Sequence, residues 1–218
     1  MKDGDDFTVK IGRKNSSNSI DTIALSQKVT AVTEADVNKL SLMENPTPKQ
    51  LLVQKAWLTA KPDEAKVRPA ADPNDVASID AIIKATYDVI SGPAGDRNWN
   101  RFLSLFLPEG RMGAIATDKN GKPMFHAFTP EKYIKSNAPF FKQSAFYEEE
   151  LNRSVAQFGN VATVQSAYQF RLSKDGKIEQ RGVNYFSLVK SGDRWYISDL
   201  NWQDEEKDLP LPEGLLKK

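Results

Sequence analysis

The sequence contains no cysteine and one histidine among its 218 residues. The absence of cysteine excludes disulfide bonds, thiol catalysis and thiolate metal sites, and it leaves the redox compartment open. A single histidine, with no aspartate or glutamate at a spacing that would complete a ligand set, leaves no specific metal site. We therefore expect neither a bound metal nor a cofactor.

A charge of one sign and long apolar runs are also missing. The 30 basic residues nearly balance the 29 acidic residues, and no stretch of the chain is a basic block. Nucleic acid and anionic membranes need a concentrated cationic face, so we expect neither as a partner. No apolar run approaches the roughly 18–20 residues that span a bilayer, and no apolar leader follows Met1. These features favour a soluble, cytoplasmic protein.

Residues 1–71 are expected to form a partly ordered amino-terminal extension. The segment 7–11 alternates like a short strand, and helices are predicted over 33–43 and from Thr47, where proline follows the cap residue. Large apolar residues are too few here for an independent core, and 61–71 reads as a charged, proline-bearing linker. A partner-binding tail is the functional alternative for this extension.

Residues 72–206 are predicted to form one domain, followed by a carboxy-terminal tail at 207–218. Apolar residues at steps of three and four, together with Asp-Pro and Thr-Pro pairs, mark its helices. Alternation with a period of two and glycine-containing turns mark its strands. In chain order the predicted elements are a helix from Asp72 to Ile90, a short helix carrying Trp99 to Phe106, hairpin strands at 111–117 and 122–128, a helix from Thr129, and strands at 146–158, 161–172, 178–189 and 195–202.

Three local sequences accompany this element order: Gly-Pro-Ala-Gly at 92–95 before 99–106, Arg-Gly-Val-Asn-Tyr-Phe at 181–186, and Arg-Trp-Tyr at 194–196 followed by Trp-Gln at 202–203. Together, the order and these sequences resemble the NTF2-like superfamily, the cone-shaped α+β fold that includes SnoaL-like proteins and ketosteroid isomerase.

The resemblance covers about 72–205 and is closest to a bacterial subgroup of mostly unassigned function, in which a secretory leader often precedes the domain. It implies three helices packed in a strongly curved, mixed or antiparallel sheet of about six strands. It also implies a homodimer, and a periplasmic or secreted location as the alternative to the cytoplasm.

In the isomerase branch of the superfamily, a carboxylate on the first hairpin strand moves a proton, and two further groups hold the oxyanion. Through the resemblance, Tyr87 corresponds to the oxyanion tyrosine of the first helix, and Asn184 lies near the second donor. The position of the carboxylate falls near Ala114. Because no residue of 111–116 accepts a proton at neutral pH, the isomerase chemistry of the family is expected to be absent.

His126 and Asp199 are the remaining acid–base candidates. The ordinary pKa of histidine suits proton transfer near neutral pH, although a rim or surface imidazole is the simpler interpretation of His126. Asp199 is expected to share a strand face with Trp195 and Ile197, and the sequence leaves open which face points inward.

Three consecutive glutamates on a predicted strand invite a paired-carboxylate interpretation. Strand alternation places Glu148 and Glu150 on one face, and Glu149 and Arg153 on the other. Two glutamates side by side on the solvent face, paired across strands with an arginine, are the expected arrangement.

Aromatic side chains are numerous enough either to fill the cone or to line an apolar pocket. The favoured interpretation is a non-catalytic module that binds a small apolar or aromatic molecule. The alternatives are a SnoaL- or ketosteroid-isomerase-type enzyme with a nonstandard acid–base residue, and a dimeric interaction or scaffold protein. The predicted pocket residues are Tyr87, Trp99, Phe102, Met112, His126, Tyr133, Asn184, Phe186 and Trp202.

Overall fold

The computed structural model of the chain describes residues 6–14, 20–28 and 67–216. The chain divides into two compact units, Met1–Asp63 and Glu64–Lys218. In the first unit, strands β1 (Asp6–Lys14) and β2 (Ile20–Lys28) pair antiparallel. The strand predicted at 7–11 is therefore confirmed within β1. The helices predicted over 33–43 and from Thr47 lie outside the described residues.

Each described α-helix of the second unit begins at a polar side chain that accepts a hydrogen bond from a backbone N–H of its first turn. Such caps satisfy amide groups that have no partner within the helix. The helix predicted from Asp72 to Ile90 is divided in two, because Ser78 is extended and caps a second helix through Ala81 N–H. The helices are α1 (Pro73–Val76), α2 (Ile79–Ile90), α3 (Trp99–Ser104) and α4 (Pro130–Gln143). None of these described helices has the length and apolar character needed to cross a lipid bilayer.

The second unit is built on a six-stranded sheet. Its strands are β3 (Phe106–Thr117), β4 (Pro123–Phe128), β5 (Tyr147–Phe158), β6 (Val161–Arg171), β7 (Gln180–Ser191) and β8 (Arg194–Asp204). Their spatial order is β4-β3-β8-β7-β6-β5. Strands β3 and β8 run parallel and all other neighbours run antiparallel, so the sheet is mixed. The predicted hairpin and four-strand meander are confirmed.

The first hairpin strand begins earlier than predicted. The apolar residues that follow Trp99 predict a helix through Phe106, but α3 ends at Ser104 and Phe106 already pairs with Ile197 of β8. This early pairing inserts β3 beside the last strand of the chain. It therefore brings the hairpin to the same sheet as the meander.

The core lies between the helices and one face of the sheet, which we call the inner face. From α2, Ile82 and Ile83 are fully buried, and they belong to the same apolar cluster as Phe186 and Leu188 of β7. Alternation along β7 places Asn184 on the inner face with Phe186 and Leu188. The α+β class and the helix-covered, curved mixed sheet are confirmed.

Two further segments fix this unit from outside the core. The Arg97 guanidinium donates to the carbonyl oxygens of Ile90 (2.8 Å), Pro93 (2.8 Å) and Gly92 (3.0 Å), which holds the loop between α2 and α3.

On the outer face of the sheet, Leu211 and Leu215 of the tail are buried against Ala167 and Val183. The tail is therefore packed on the sheet, and its short 3₁₀ turn is Glu213–Leu215.

Candidate functional site

A cavity of about 210 Å³ lies between α2, α3 and α4 and the inner face of the sheet. Its lining is mostly apolar, and eight of the lining residues are aromatic. The polar members come mainly from strands β5 to β8. The lining residues are Thr86, Ile90, Phe102, Met112, Tyr133, Asn137, Phe140, Phe141, Phe146, Glu148, Tyr168, Phe170, Asn184, Leu200, Trp202 and Asp204.

The aromatic walls are held by contacts between rings. Tyr133 of α4 stacks on Phe102 of α3 at 5.5 Å between ring centroids, and it lies perpendicular to Trp202 of β8 at 6.3 Å between centroids. On the opposite wall of the cavity, the ring centroid of Phe146 lies 4.8 Å from that of Phe170 and 5.3 Å from that of Phe141. Such pairs stabilise each other beyond their buried area. The walls are therefore built by the fold itself, before any ligand enters.

Four polar side chains on the strands form what we call the polar floor: Glu148, Tyr168, Asn184 and Asp204. Asn184 Nδ2 donates to Glu148 Oε1 at 3.4 Å. Tyr168 donates its hydroxyl proton to Asp204 Oδ1. Both residues of this second pair lie opposite Gly182 on the strand between them, so the missing side chain at Gly182 lets them meet.

A chain of hydrogen bonds supports the polar floor from behind. Asn184 Nδ2 also donates to the Tyr87 hydroxyl at 3.1 Å, and that hydroxyl lies 2.7 Å from Ser166 Oγ. Ser166 donates its one proton to Glu150 Oε1 at 2.6 Å, so Tyr87 must donate to Ser166. The chain ends at Arg153, which forms an ion pair with Glu150 at 2.6 Å. This direction of donation fixes the Asn184 amide as a donor to both Tyr87 and Glu148.

Burial raises the pKa of the Glu148 carboxyl group to about 8. The hydrogen bond from Asn184 lowers this pKa, and the negative charge of Asp204 raises it. A carboxyl group removed from water resists ionisation because its charged form loses solvation. At pH 7 this carboxyl group therefore exists mainly as the neutral acid. Burial also raises the pKa values of the Tyr133 and Tyr168 hydroxyls, with further contributions from the neighbouring carboxyl groups.

No family model and no curated protein matches the chain. Among solved structures, it is similar to a protein of unknown function with a cystatin-like fold from Nostoc punctiforme (TM-score 0.46, 13% identity, 62% of this chain and 92% of that chain). It is similar to an NTF2-like family protein from Streptomyces avermitilis (TM-score 0.45, 15% identity, 61% and 96%). It is also similar to a protein from Parabacteroides distasonis provisionally named a ketosteroid isomerase (TM-score 0.43, 11% identity, 65% and 98%).

The element order and the six-stranded mixed sheet are those predicted from the resemblance. This architecture is the one that the resemblance to the NTF2-like fold implies.

The cavity brings together Phe102, Met112, Tyr133, Asn184 and Trp202 of the nine residues predicted to line a pocket. The other four do not line it. Tyr87 and Phe186 are buried beside the cavity, and Trp99 packs its ring against Phe102 and Phe141. His126 is exposed on β4.

The prediction that Asp199 shares a strand face with Trp195 and Ile197 is wrong, because β8 contains a bulge. Ser187 pairs with Asp199, but Leu188 pairs with Ile197, so Ser198 is an extra residue. Alternation reverses there: Ile197 and Leu200 are both buried, and Asp199 lies on the face opposite to Leu200. Its carboxylate accepts a hydrogen bond from Asn201, away from the cavity.

The solvent-face interpretation of Glu148 and Glu150 is also wrong, and a second bulge explains it. Between the pairs Glu150–Tyr168 and Asn152–Ala167, strand β5 holds one extra residue, Leu151. Because of this residue, Arg153 shares the inner face with the two glutamates, and Glu149 is left outside, bonded to Arg171. The two glutamates do share a face, as predicted. That face is the inner one.

Proposed function

We propose that the second unit is a small-molecule-binding module whose pocket holds a ring-containing, mostly apolar ligand. The single observation that carries this proposal is the combination of aromatic walls with the polar floor in one cavity. Ligand sites are generally concave and apolar, with a few convergent polar groups that fix the orientation of the ligand. Glu148 and Asn184 supply such groups here, and the hydrogen-bonded chain through Tyr87 keeps them in place.

The volume of the cavity limits the size of this ligand. Drug-sized ligands occupy pockets of about 300–1,000 Å³, whereas an apolar cavity of about 150 Å³ accepts benzene. A cavity of about 210 Å³ lies between these values. It therefore favours a single ring with short substituents over a multi-ring molecule.

Replacement of Trp202 by Leu is expected to weaken the binding of a ring compound about tenfold, because one aromatic wall is lost. Benzyl alcohol and cyclohexanol are suitable probes for isothermal titration calorimetry. The matched control is Tyr185→Leu, which removes a half-exposed aromatic ring from the outer face of β7. Binding by neither probe, or equal losses in both variants, would contradict the proposal.

One observation favours a second candidate function, a proton-transfer enzyme. A general acid or base works best when its pKa lies near the working pH, and burial places the pKa of Glu148 at about 8. In such an enzyme, Glu148 would be the general acid or base in place of His126 and Asp199. The Tyr133 hydroxyl in the same cavity would donate a hydrogen bond to the substrate.

The enzymatic version is tested by exchange of ligand C–H groups with deuterium oxide, followed by proton NMR for small cyclic ketones such as cyclopentanone. Exchange catalysed by the wild-type protein is expected to fall at least 100-fold in Glu148→Gln, and to persist in His126→Gln. Absence of exchange above the buffer rate, with ligand binding intact, would leave binding without catalysis.

A further inference from the structure

Among the described residues that line the cavity, those of acidic or basic type are all acidic. Glu148 and Asp204 line it, and none of the described lining residues is Lys, Arg or His. A pocket for a carboxylate or phosphate ligand normally presents the opposite arrangement, since anions are bound by arginine, lysine or helix amino termini. The lining therefore disfavours anionic ligands.

In the part of the chain that the structure describes, no cationic side chain pairs with either of the two carboxyl groups. Glu148 accepts from the neutral amide of Asn184, and Asp204 accepts from the neutral hydroxyl of Tyr168. Within the described residues neither carboxyl group forms a salt bridge, whereas the neighbouring Glu150 is paired with Arg153 and Glu205 with Arg181. Buried carboxylates are normally paired with a cation. The cavity leaves room for a cationic ligand to supply this missing partner.

The walls of the same cavity suit a cation as well. Faces of Trp, Tyr and Phe attract organic cations through the negative charge at the ring face, and cages of such rings bind ammonium groups. Trp202, Tyr133 and Phe102 form a contiguous set of rings that lines the cavity. An ammonium ligand would meet carboxyl groups at the polar floor and aromatic side chains along the walls.

We propose that the ligand of this pocket is a small organic amine, with its ammonium group at Glu148 and Asp204 and its apolar body against the aromatic walls. This inference rests on the proposed binding function and specifies the ligand class. An ammonium group balances the negative charge of Asp204 and the charge that Glu148 acquires when it releases its proton. It also donates two or three hydrogen bonds to oxygens that the protein leaves to neutral donors.

Binding of a cation is coupled to proton release. The groups that face Glu148 are Tyr87 from α2, Tyr133 from α4, Tyr168 from β6 and Asp204 from β8. Burial raises the pKa values of the three tyrosines, so they keep their protons at neutral pH. A bound ammonium group favours the ionised form of Glu148 and lowers its pKa from about 8. Each binding event near pH 7 therefore releases up to one proton.

The test compares benzylamine with benzyl alcohol by isothermal titration calorimetry at pH 7.5, in two buffers of different ionisation enthalpy. We expect benzylamine to bind at least tenfold more tightly, with a heat that depends on the buffer because a proton is released. In Glu148→Gln the preference for the amine is expected to fall at least fivefold and the buffer dependence to disappear. Glu149→Gln, one residue away on the outer face, is the matched control and should keep both. Thermal melting of each variant establishes that it is folded.

Equal or weaker binding of benzylamine relative to benzyl alcohol overturns the amine inference and leaves the binding function standing. Binding of neither compound overturns the binding function itself. A preference for the amine that persists unchanged in Glu148→Gln and in Asp204→Asn also overturns the inference, because the ammonium group would then lie elsewhere.

Discussion

Glu148→Gln is expected to stabilise the protein at pH 8 and to change its stability little at pH 5. The ordinary pKa of the glutamate carboxyl group, 4.5, rises to about 8 in the folded chain. Between these values the folded state holds a proton that the unfolded state has lost, so the free energy of unfolding falls as pH rises through this window. The loss amounts to as much as about 4 kcal/mol by pH 8. Glutamine carries no titrating proton and escapes it.

The measurement is urea denaturation of the wild type and the variant at intervals between pH 5 and pH 9, with the difference in free energy of unfolding plotted against pH. Glu149→Gln is the control, because its carboxylate is exposed and paired with Arg171. The difference between Glu148→Gln and the wild type should grow with pH, whereas that of the control should stay flat. If the difference in free energy of unfolding stays constant with pH for both variants, Glu148 is solvated and the burial of its carboxyl group in the polar floor is disproved.

Gly182→Ala is expected to lower the free energy of unfolding by about 3 kcal/mol, the upper part of the range for overpacked sites. A methyl group at this position would lie 2.6 Å from the backbone oxygen of Gln203 and would overlap the Tyr168 hydroxyl. The backbone oxygen cannot move aside, and the tyrosine would have to leave Asp204. The substitution therefore damages both the sheet and the polar floor.

Gly214→Ala provides the matched control for this substitution, because a methyl group there meets no atom within 4 Å. Its unfolding free energy should stay within about 0.5 kcal/mol of the wild type. Urea denaturation of the two variants, with unchanged dependence on denaturant, distinguishes them. Similar stabilities for both would mean that Tyr168 does not cross over Gly182 to reach Asp204.

The fold could be predicted from the sequence because its signals are local. The caps at Ser78 and Thr129 and the period-two alternation each act within a few residues, and the meander then follows from short turns such as 159–160. The parallel contact of β3 with β8 comes from a long-range pairing near Phe106 that no local pattern records.

The site could be predicted only in part, because its two key features depend on β-bulges. With an uninterrupted register from the turn at 159–160, Glu149 would lie opposite Phe170 and Glu148 opposite Arg171. The extra residue Leu151 shifts this register, so that Glu148 lies opposite Phe170 instead. A single bulge reverses every side chain beyond it. The second bulge, at Ser198, removes Asp199 from the cavity in the same way.

The pattern of strand β6 also bears on the position of Glu148. Strand β6 has aromatic residues at Tyr168 and Phe170, on the face that continues from the buried Val164 and Ser166. Residues directly opposite on paired strands share a face. Because the bulge places Glu148 opposite Phe170, its carboxyl group shares the face of the pocket with Asn184, two strands away.

A crystal structure of the protein soaked with 4-bromobenzyl alcohol tests the central claim most directly, because the anomalous signal of bromine locates the ring directly. The account predicts one bromine site inside the cavity, with the ring against Trp202 and Tyr133 and the hydroxyl group within hydrogen-bond distance of Glu148. A bromine signal confined to the surface, with the aromatic walls closed over the polar floor, would contradict it.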